Sequence, residues 1–113
     1  MAQMSYRPPP LFQSVPTIYD AEVEDFSSSV SLITASASQQ IKLYFISVSF
    51  NNSGILTISE GTNLLFRLGA TGMDCKIINF YPMPIIFAKN ADLVADANIN
   101  SLSVNFGIHY ELV

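Results

Sequence analysis

Apolar and polar residues alternate most clearly near the carboxyl end of the chain. Every second position there is apolar: Leu102, Val104, Phe106, Ile108, Tyr110 and Leu112. Because successive side chains of a strand point to opposite faces, this spacing predicts a long strand with one buried face. We therefore expect Phe106 and Ile108 to lie in the core of an antiparallel sheet whose other face meets solvent.

The same period of two recurs in shorter segments from Phe26 onward. Strand-like stretches begin near Val30, Ile41, Leu56, Leu64 and Cys75, and two shorter ones begin at Ile85 and Leu93. Turn-forming groups such as Asn51-Asn52-Ser53-Gly54 and Glu60-Gly61 separate them, and no segment there keeps the spacing of an amphipathic helix. About eight strands joined by polar turns predict an all-β chain, a single antiparallel β-sandwich of jelly-roll type.

The longest of these segments, Ile41–Phe50, carries apolar residues on both faces at its start. Regular alternation places Tyr44, Ile46, Val48 and Phe50 on one face and Ile41, Leu43, Phe45, Ser47 and Ser49 on the other. This pattern predicts a strand that is covered on both sides in its first half and on only one side in its second half.

Residues 1–25 differ in composition from the rest of the chain. They contain Pro8-Pro9-Pro10 and Pro16, which favour an extended backbone, and end in the acidic group Asp20, Glu22, Glu24 and Asp25. We predict an extended arm over residues 1–25 and a β-sandwich domain over residues 26–113. A floppy terminus is the alternative, although its apolar content is unusual for a disordered tail. The residues expected to bind a neighbouring subunit are Tyr6, Leu11, Phe12, Val15, Ile18 and Tyr19.

A second candidate contact is the segment Tyr81-Pro82-Met83-Pro84. Neither proline can donate a ladder hydrogen bond, so this segment interrupts the strand pattern. Tyr81 and Met83 suit an adaptable contact patch, which predicts a weaker partner-binding loop. A crossover between the two sheets is the alternative.

The composition predicts association with other subunits. Of the 113 residues, 50% are hydrophobic and only 12% are charged, compared with about 25% charged residues in an average soluble domain. A small sandwich with so few charges is expected to form a homotrimer or another cyclic oligomer. The net charge of −4 and the scattered Lys and Arg residues argue against nucleic acid as a partner.

Residues with catalytic or metal-binding chemistry are few. His109, the single histidine, shares a strand face with Glu111, and no nucleophile is predicted nearby, which favours a surface or interface role. Asp92 and Asp96 offer oxygen ligands of the kind that Ca²⁺ takes, but their spacing does not match an EF-hand, so we interpret them as turn residues. Cys75, the single cysteine, is expected to be a buried structural thiol. The chain is thus predicted to have no catalytic residues, no cofactor and no metal.

Export and membrane signals are not apparent in the sequence. The first residues lack the basic segment and apolar run of a secretory signal. No apolar run approaches the ~20 residues of a membrane-spanning helix. We therefore expect synthesis in a cytoplasm and no membrane partner.

These features together resemble small virion proteins of tailed bacteriophages. The resemblance is carried by the proline-containing arm, the compact Ser/Thr/Asn-rich β-sandwich and the strand Asn105-Phe106-Gly107-Ile108-His109-Tyr110-Glu111. Head decoration (cement) proteins and jelly-roll fibre modules are built in this way, and several are trimers seated on the major capsid protein. The resemblance implies a non-enzymatic protein of the virion, made in the host cytoplasm, that clamps neighbouring major capsid subunits or another virion protein.

Other functions remain open from the sequence alone. The chain could be a tail, neck or fibre component, or a receptor- or carbohydrate-binding β-sandwich. Carbohydrate-binding sandwiches usually expose aromatic platforms, often of Trp, and this chain contains no Trp. A small enzyme of the cupin type would need a metal cluster of His and Glu, and one His is too few.

Overall fold

The structure is a computed structural model that describes residues 16–113. Within these residues the chain forms strands and turns, with no helix, as the alternating pattern predicted. The strands are Thr17–Val23 (β1), Val30–Ile33 (β2), Ile41–Phe50 (β3), Gly54–Glu60 (β4), Asn63–Ala70 (β5), Asp74–Asn79 (β6), Ile85–Ile86 (β7), Leu93–Ala97 (β8) and Val104–Leu112 (β9).

These strands form two antiparallel sheets that pack together as a single β-sandwich, which confirms the predicted fold class. The five-stranded sheet has the order β1-β9-β3-β6, and β7 pairs with β3 alongside β6. The four-stranded sheet has the order β2-β8-β4-β5. Each strand can bury its apolar face only against the opposite sheet, which explains the predicted half-solvated pattern.

The strand pairs are nested along the chain. β1 pairs with β9, β2 with β8, β3 with β6 and β7, and β4 with β5. The innermost pair is a hairpin whose turn contains Gly61 at a φ of 58°, a conformation that favours glycine. The chain is therefore one long antiparallel hairpin that is rolled up until β9 also pairs with β3 and β8 with β4.

The core lies between the two sheets. It contains Phe26, Leu32, Ile33, Ala35, Ile41, Leu43, Ile46, Val48, Phe50, Leu56, Ile58, Phe87, Leu93, Ala95, Leu102, Val104, Phe106 and Ile108. The inward positions that the carboxyl-terminal alternation predicted are confirmed for Phe106 and Ile108, which are almost fully buried. No polar or charged side chain among residues 16–113 is fully buried.

The predicted assignment of the two faces of β3 is wrong, because the strand contains a bulge. The register with β9 shifts between Leu43, which pairs with Tyr110, and Phe45, which pairs with His109. The extra residue, Tyr44, reverses the phase of the alternation. Both halves of β3 therefore bury their apolar residues in the same core, whereas regular alternation placed Leu43 on the face opposite Ile46.

Part of the predicted arm is a strand of the sandwich. Thr17–Val23 pairs with β9 along its whole length and forms an edge of the five-stranded sheet. Asp20 and Glu22 project to the outer face, so the acidic group that marked the arm in sequence is the solvated side of a strand. The structure therefore places residues 17–23 with the sheet and not in a free arm.

Side chains of Asp and Asn hold the loops between the sheets. The carboxylate of Asp92 accepts a hydrogen bond from the backbone N–H of Ala35 at 3.0 Å and another from the hydroxyl of Ser31 at 3.0 Å. The side-chain oxygen of Asn98 accepts from the N–H of Ile55 at 2.8 Å. Asp92 thus has a structural role in a loop, as predicted, whereas Asp96 lies within β8.

Candidate interaction surface on the five-stranded sheet

A row of side chains crosses the outer face of the five-stranded sheet. Ile18 of β1 lies opposite His109 of β9, which lies opposite Phe45 of β3, which in turn lies opposite Asn79 of β6. Phe45 and His109 face away from the core because each is adjacent to a fully buried residue, Ile46 or Ile108, and directly paired residues share a face of the sheet. The rings of Phe45 and His109 stack with their centres 4.6 Å apart.

Two tyrosines complete an aromatic group at this row. The bulge turns Tyr44 outward, and its ring stacks on that of Tyr81 with a centroid separation of 5.0 Å. The ring of Tyr81 also meets that of His109 edge-on at 5.8 Å. We call Tyr44, Phe45, Tyr81 and His109 the aromatic patch.

Hydrogen bonds hold the rings of the aromatic patch in place. The hydroxyl of Tyr44 donates to Oε1 of Glu111 at 2.6 Å, and the hydroxyl of Tyr81 lies 3.0 Å from Nδ1 of His109. The bond to Glu111, together with partial removal from water and the negative charge of that carboxylate, raises the pKa of Tyr44 to about 12. Because these groups are engaged with one another, the patch presents ring faces in a fixed arrangement.

We expect Tyr44 to titrate at a higher pH than an ordinary tyrosine. The difference in tyrosinate absorbance between the wild type and Tyr44→Phe should titrate with a midpoint near pH 12 and not near the ordinary value of 10. Since the pKa is raised in the folded state, the stabilisation from this pair is complete below about pH 10 and is lost as the pH rises through about 12.

The matched variant for this titration is Glu111→Gln, which keeps a hydrogen-bond acceptor but removes the charge. In that background the midpoint assigned to Tyr44 should move back toward 10. A midpoint that Glu111→Gln leaves unchanged would contradict the assigned cause.

Exposed apolar side chains border the aromatic patch. Ile18 is 67% exposed at the β1 side, while Ile77 on β6 and Ile86 on β7 are 62% and 56% exposed on the opposite side. In the neighbouring row, Gly107 lies between Asp20 and Ser47, and a Cβ at this glycine would come within 2.7 Å of the Ser47 hydroxyl. The sheet face thus carries exposed apolar side chains near both of its edges.

The structure places Tyr81 in the aromatic patch, and Met83 follows it in the same segment. Both are exposed, Met83 by 79%. Their segment joins β6 to β7, which pair with the same strand of the same sheet, so the alternative of a crossover between sheets is wrong. Of the six residues expected to bind through the arm, Ile18 and Tyr19 lie on β1 with exposed side chains. The other four, Tyr6, Leu11, Phe12 and Val15, lie outside the described residues.

Cys75 is exposed, and the expectation of a buried thiol is wrong. It lies on β6 opposite Ser49, on the outer face of the sheet, and its sulfur is 3.8 Å from the Ser49 hydroxyl. The alternation along β6 points Ile78 inward and Cys75 outward, a choice of face that a short apolar run does not specify.

The described part of the chain contains no evident metal centre. Among residues 16–113, no three side chains of His, Cys, Asp or Glu come together where they could hold an ion. None of the described segments is a helix with the length and apolar character that crossing a bilayer requires.

Comparisons with known proteins give no family for this chain. No protein-family model matches it, and no curated protein sequence matches it. Function must therefore be inferred from the fold and from the aromatic patch.

The aromatic patch as a unit was missed by sequence analysis. Regular alternation assigned Tyr44 to the same face as Ile46, and His109 was noted only with Glu111. The available signal was the consecutive pair Tyr44-Phe45 in a strand that is otherwise apolar on one face, which is compatible with a bulge.

Proposed function

We propose that this chain is a non-enzymatic structural protein of a virion, in the first place a capsid decoration protein that clamps neighbouring major capsid subunits. The proposal includes self-association, with a homotrimer as the expected form, and attachment to the major capsid protein or another virion protein. It places the protein on the particle after synthesis in the host cytoplasm.

The nested strand pairs support a jelly roll as the architecture. When the two-residue β7 is set aside, the two facing sheets have four strands each, and their nested pairs are what a long rolled hairpin would give. Jelly rolls are common among viral capsid and lectin domains. Because a fold by itself does not define a function, the proposal needs a feature of the surface as well.

The observation that carries the proposal is the set of exposed apolar side chains on the otherwise polar outer face of the five-stranded sheet. Ile18, Ile77 and Ile86 stand exposed around the aromatic patch in a chain with only 12% charged residues. Exposed apolar groups that share one face favour a protein–protein contact. A clamp that binds neighbouring subunits needs such a face on a small rigid body.

The copy number per particle tests this proposal. Quantitative mass spectrometry of purified virions from the source of this chain should find it in hundreds of copies if it decorates the capsid. About a dozen copies or fewer would favour a tail, neck or fibre position, since such structures have low symmetry numbers. Absence of the chain from purified virions would contradict the proposal.

A second candidate function is a receptor- or carbohydrate-binding module. The observation in its favour is the stacked pair Tyr44–Tyr81, which offers aromatic ring faces on an open sheet. Binding to a glycan array that is lost in Tyr81→Ser would support this function. Equal binding by the wild type and Tyr81→Ser would exclude the aromatic patch as the sugar site.

A further inference from the structure

We propose that the aromatic patch of one copy receives the proline-rich segment, residues 1–15, of a second copy. This inference deepens the proposed self-association by naming both surfaces. It does not depend on a location in a virion, because it concerns the isolated chain.

The chemistry of the two surfaces is complementary. Aromatic residues commonly line the sites that bind proline-rich segments, because the preformed polyproline backbone docks against ring faces at low entropic cost. Residues 1–15 contain Pro8-Pro9-Pro10 and the apolar residues Tyr6, Leu11, Phe12 and Val15. The aromatic patch supplies ring faces, and Ile18, Ile77 and Ile86 supply apolar borders.

The aromatic patch is already arranged for docking in the free chain. The bonds from Tyr44 to Glu111 and between Tyr81 and His109 fix the ring orientations before any partner arrives. A surface whose side chains are held in place loses little conformational entropy on binding.

The proline-rich segment is attached to the sheet close to the aromatic patch. Thr17 pairs with Tyr110, and Ile18 pairs with His109, so the point at which residues 1–15 join the described chain lies next to the aromatic patch. At ~3.1 Å per residue, a polyproline segment of this length reaches ~45 Å, which is enough to extend over a neighbouring copy.

The direction of β1 favours a second copy over the same copy. Traced toward its first residue, β1 runs toward the carboxyl end of β9, because Val23 pairs with Val104 and Thr17 with Tyr110. To lie on the patch of its own copy, the segment would have to turn back against the direction of β1. Docking on a neighbour needs no reversal.

The tyrosine hydroxyls of the aromatic patch are already hydrogen-bonded, which favours a proline-rich peptide over a sugar as the ligand. Recognition of a sugar needs polar groups placed to orient it, and the hydroxyls of Tyr44 and Tyr81 are engaged within the patch. The apolar borders at Ile18 and Ile77 match the side chains of Leu11 and Phe12 better than a hydroxylated ligand.

The test is sedimentation equilibrium of the full chain, with reductant present because exposed Cys75 could otherwise form disulfides. The wild type should be an oligomer at micromolar concentration. Tyr81→Ser in the patch and Phe12→Ser in the segment should each weaken association about tenfold or more. The association constant of the double variant should be no lower than that of the more strongly affected single variant, because both substitutions remove the same contact.

Leu64→Ser is the matched control. Leu64 is 53% exposed but lies on β5 in the other sheet, so its substitution should leave the association constant unchanged. Circular dichroism of each variant verifies the β-sheet signal. If Tyr81→Ser loses that signal, Tyr81→Leu replaces it, since leucine keeps apolar bulk but removes the ring stacking.

Several outcomes would overturn the inference. A monomeric wild type would do so, as would additive effects of Tyr81→Ser and Phe12→Ser or an equal loss of association in Leu64→Ser. An unchanged mass for Tyr81→Ser together with lost glycan binding would assign the patch to a sugar instead. Because no particle is used, failure here leaves the copy-number test of the proposed function unaffected.

Discussion

Replacing Phe106 with alanine is expected to lower the free energy of unfolding by about 3–5 kcal/mol, the usual cost of removing a buried Phe ring. Phe106 is 3% exposed, and its neighbours across the sheet are Ala21 on β1 and Val48 on β3. The ring therefore lies in the middle of the five-stranded sheet and faces the core. Since a domain of this size is stable by about 5–15 kcal/mol, Phe106→Ala should leave little or no folded protein at elevated temperature.

Urea unfolding followed by circular dichroism measures this change, at one fixed protein concentration because association shifts the apparent stability. Leu64→Ala is the control, since it also removes a large apolar side chain but from an exposed position. Its free energy of unfolding should change by less than about 1 kcal/mol. An unfolding midpoint for Phe106→Ala equal to that of the wild type would contradict the inward position of Phe106.

Two amino-terminal truncations are expected to differ sharply in their effect on the stability of the folded domain. Removal of residues 1–15 leaves β1 complete and should give a folded domain. Removal of residues 1–25 deletes β1 and every hydrogen bond of its ladder with β9, along Thr17–Val23. Each such bond stabilises the fold by about 1 kcal/mol net, so the longer truncation loses a large share of the total stability.

The longer truncation also changes the edge of the sheet. It exposes the backbone of β9, a long strand with apolar residues, as a new unpaired edge, which favours aggregation. We expect the shorter truncation to have a cooperative thermal transition and the longer one to be unfolded or insoluble. A longer truncation that melts at the same temperature as the shorter one would show that β1 contributes nothing to the domain.

The two truncations also separate the roles of the amino-terminal residues. Any loss of self-association in the shorter truncation belongs to residues 1–15, because β1 and the aromatic patch remain. Sedimentation of the shorter truncation therefore complements the comparison of Phe12→Ser with Tyr81→Ser, provided that its thermal transition is intact.

The strand β9 was predictable because its pattern is regular over many residues. Each second position from Leu102 to Ile108 is fully buried or nearly so, and a one-residue slip would expose that whole set to solvent. Long alternation of this kind specifies both the strand and its inward face without information from the rest of the chain.

The strand β1 was not predictable in the same way. Its outward positions include Asp20 and Glu22 together with Ile18, so its alternation resembles an acidic linker. An edge strand pairs on one side only, and its stability comes from the ladder with β9, which lies far away in sequence.

The sequence by itself determined an all-β chain, its long carboxyl-terminal strand and the turns that separate most of its strands. These features depend on local periodicity and turn chemistry, which are visible in neighbouring residues. Only the tertiary structure decided the position of β1, the outward face of Cys75 and the bulge at Tyr44 that brings Tyr44, Tyr81 and His109 together. Each of these depends on pairing between strands distant in the chain, and a single bulged residue changes which side chains face solvent without changing the local pattern.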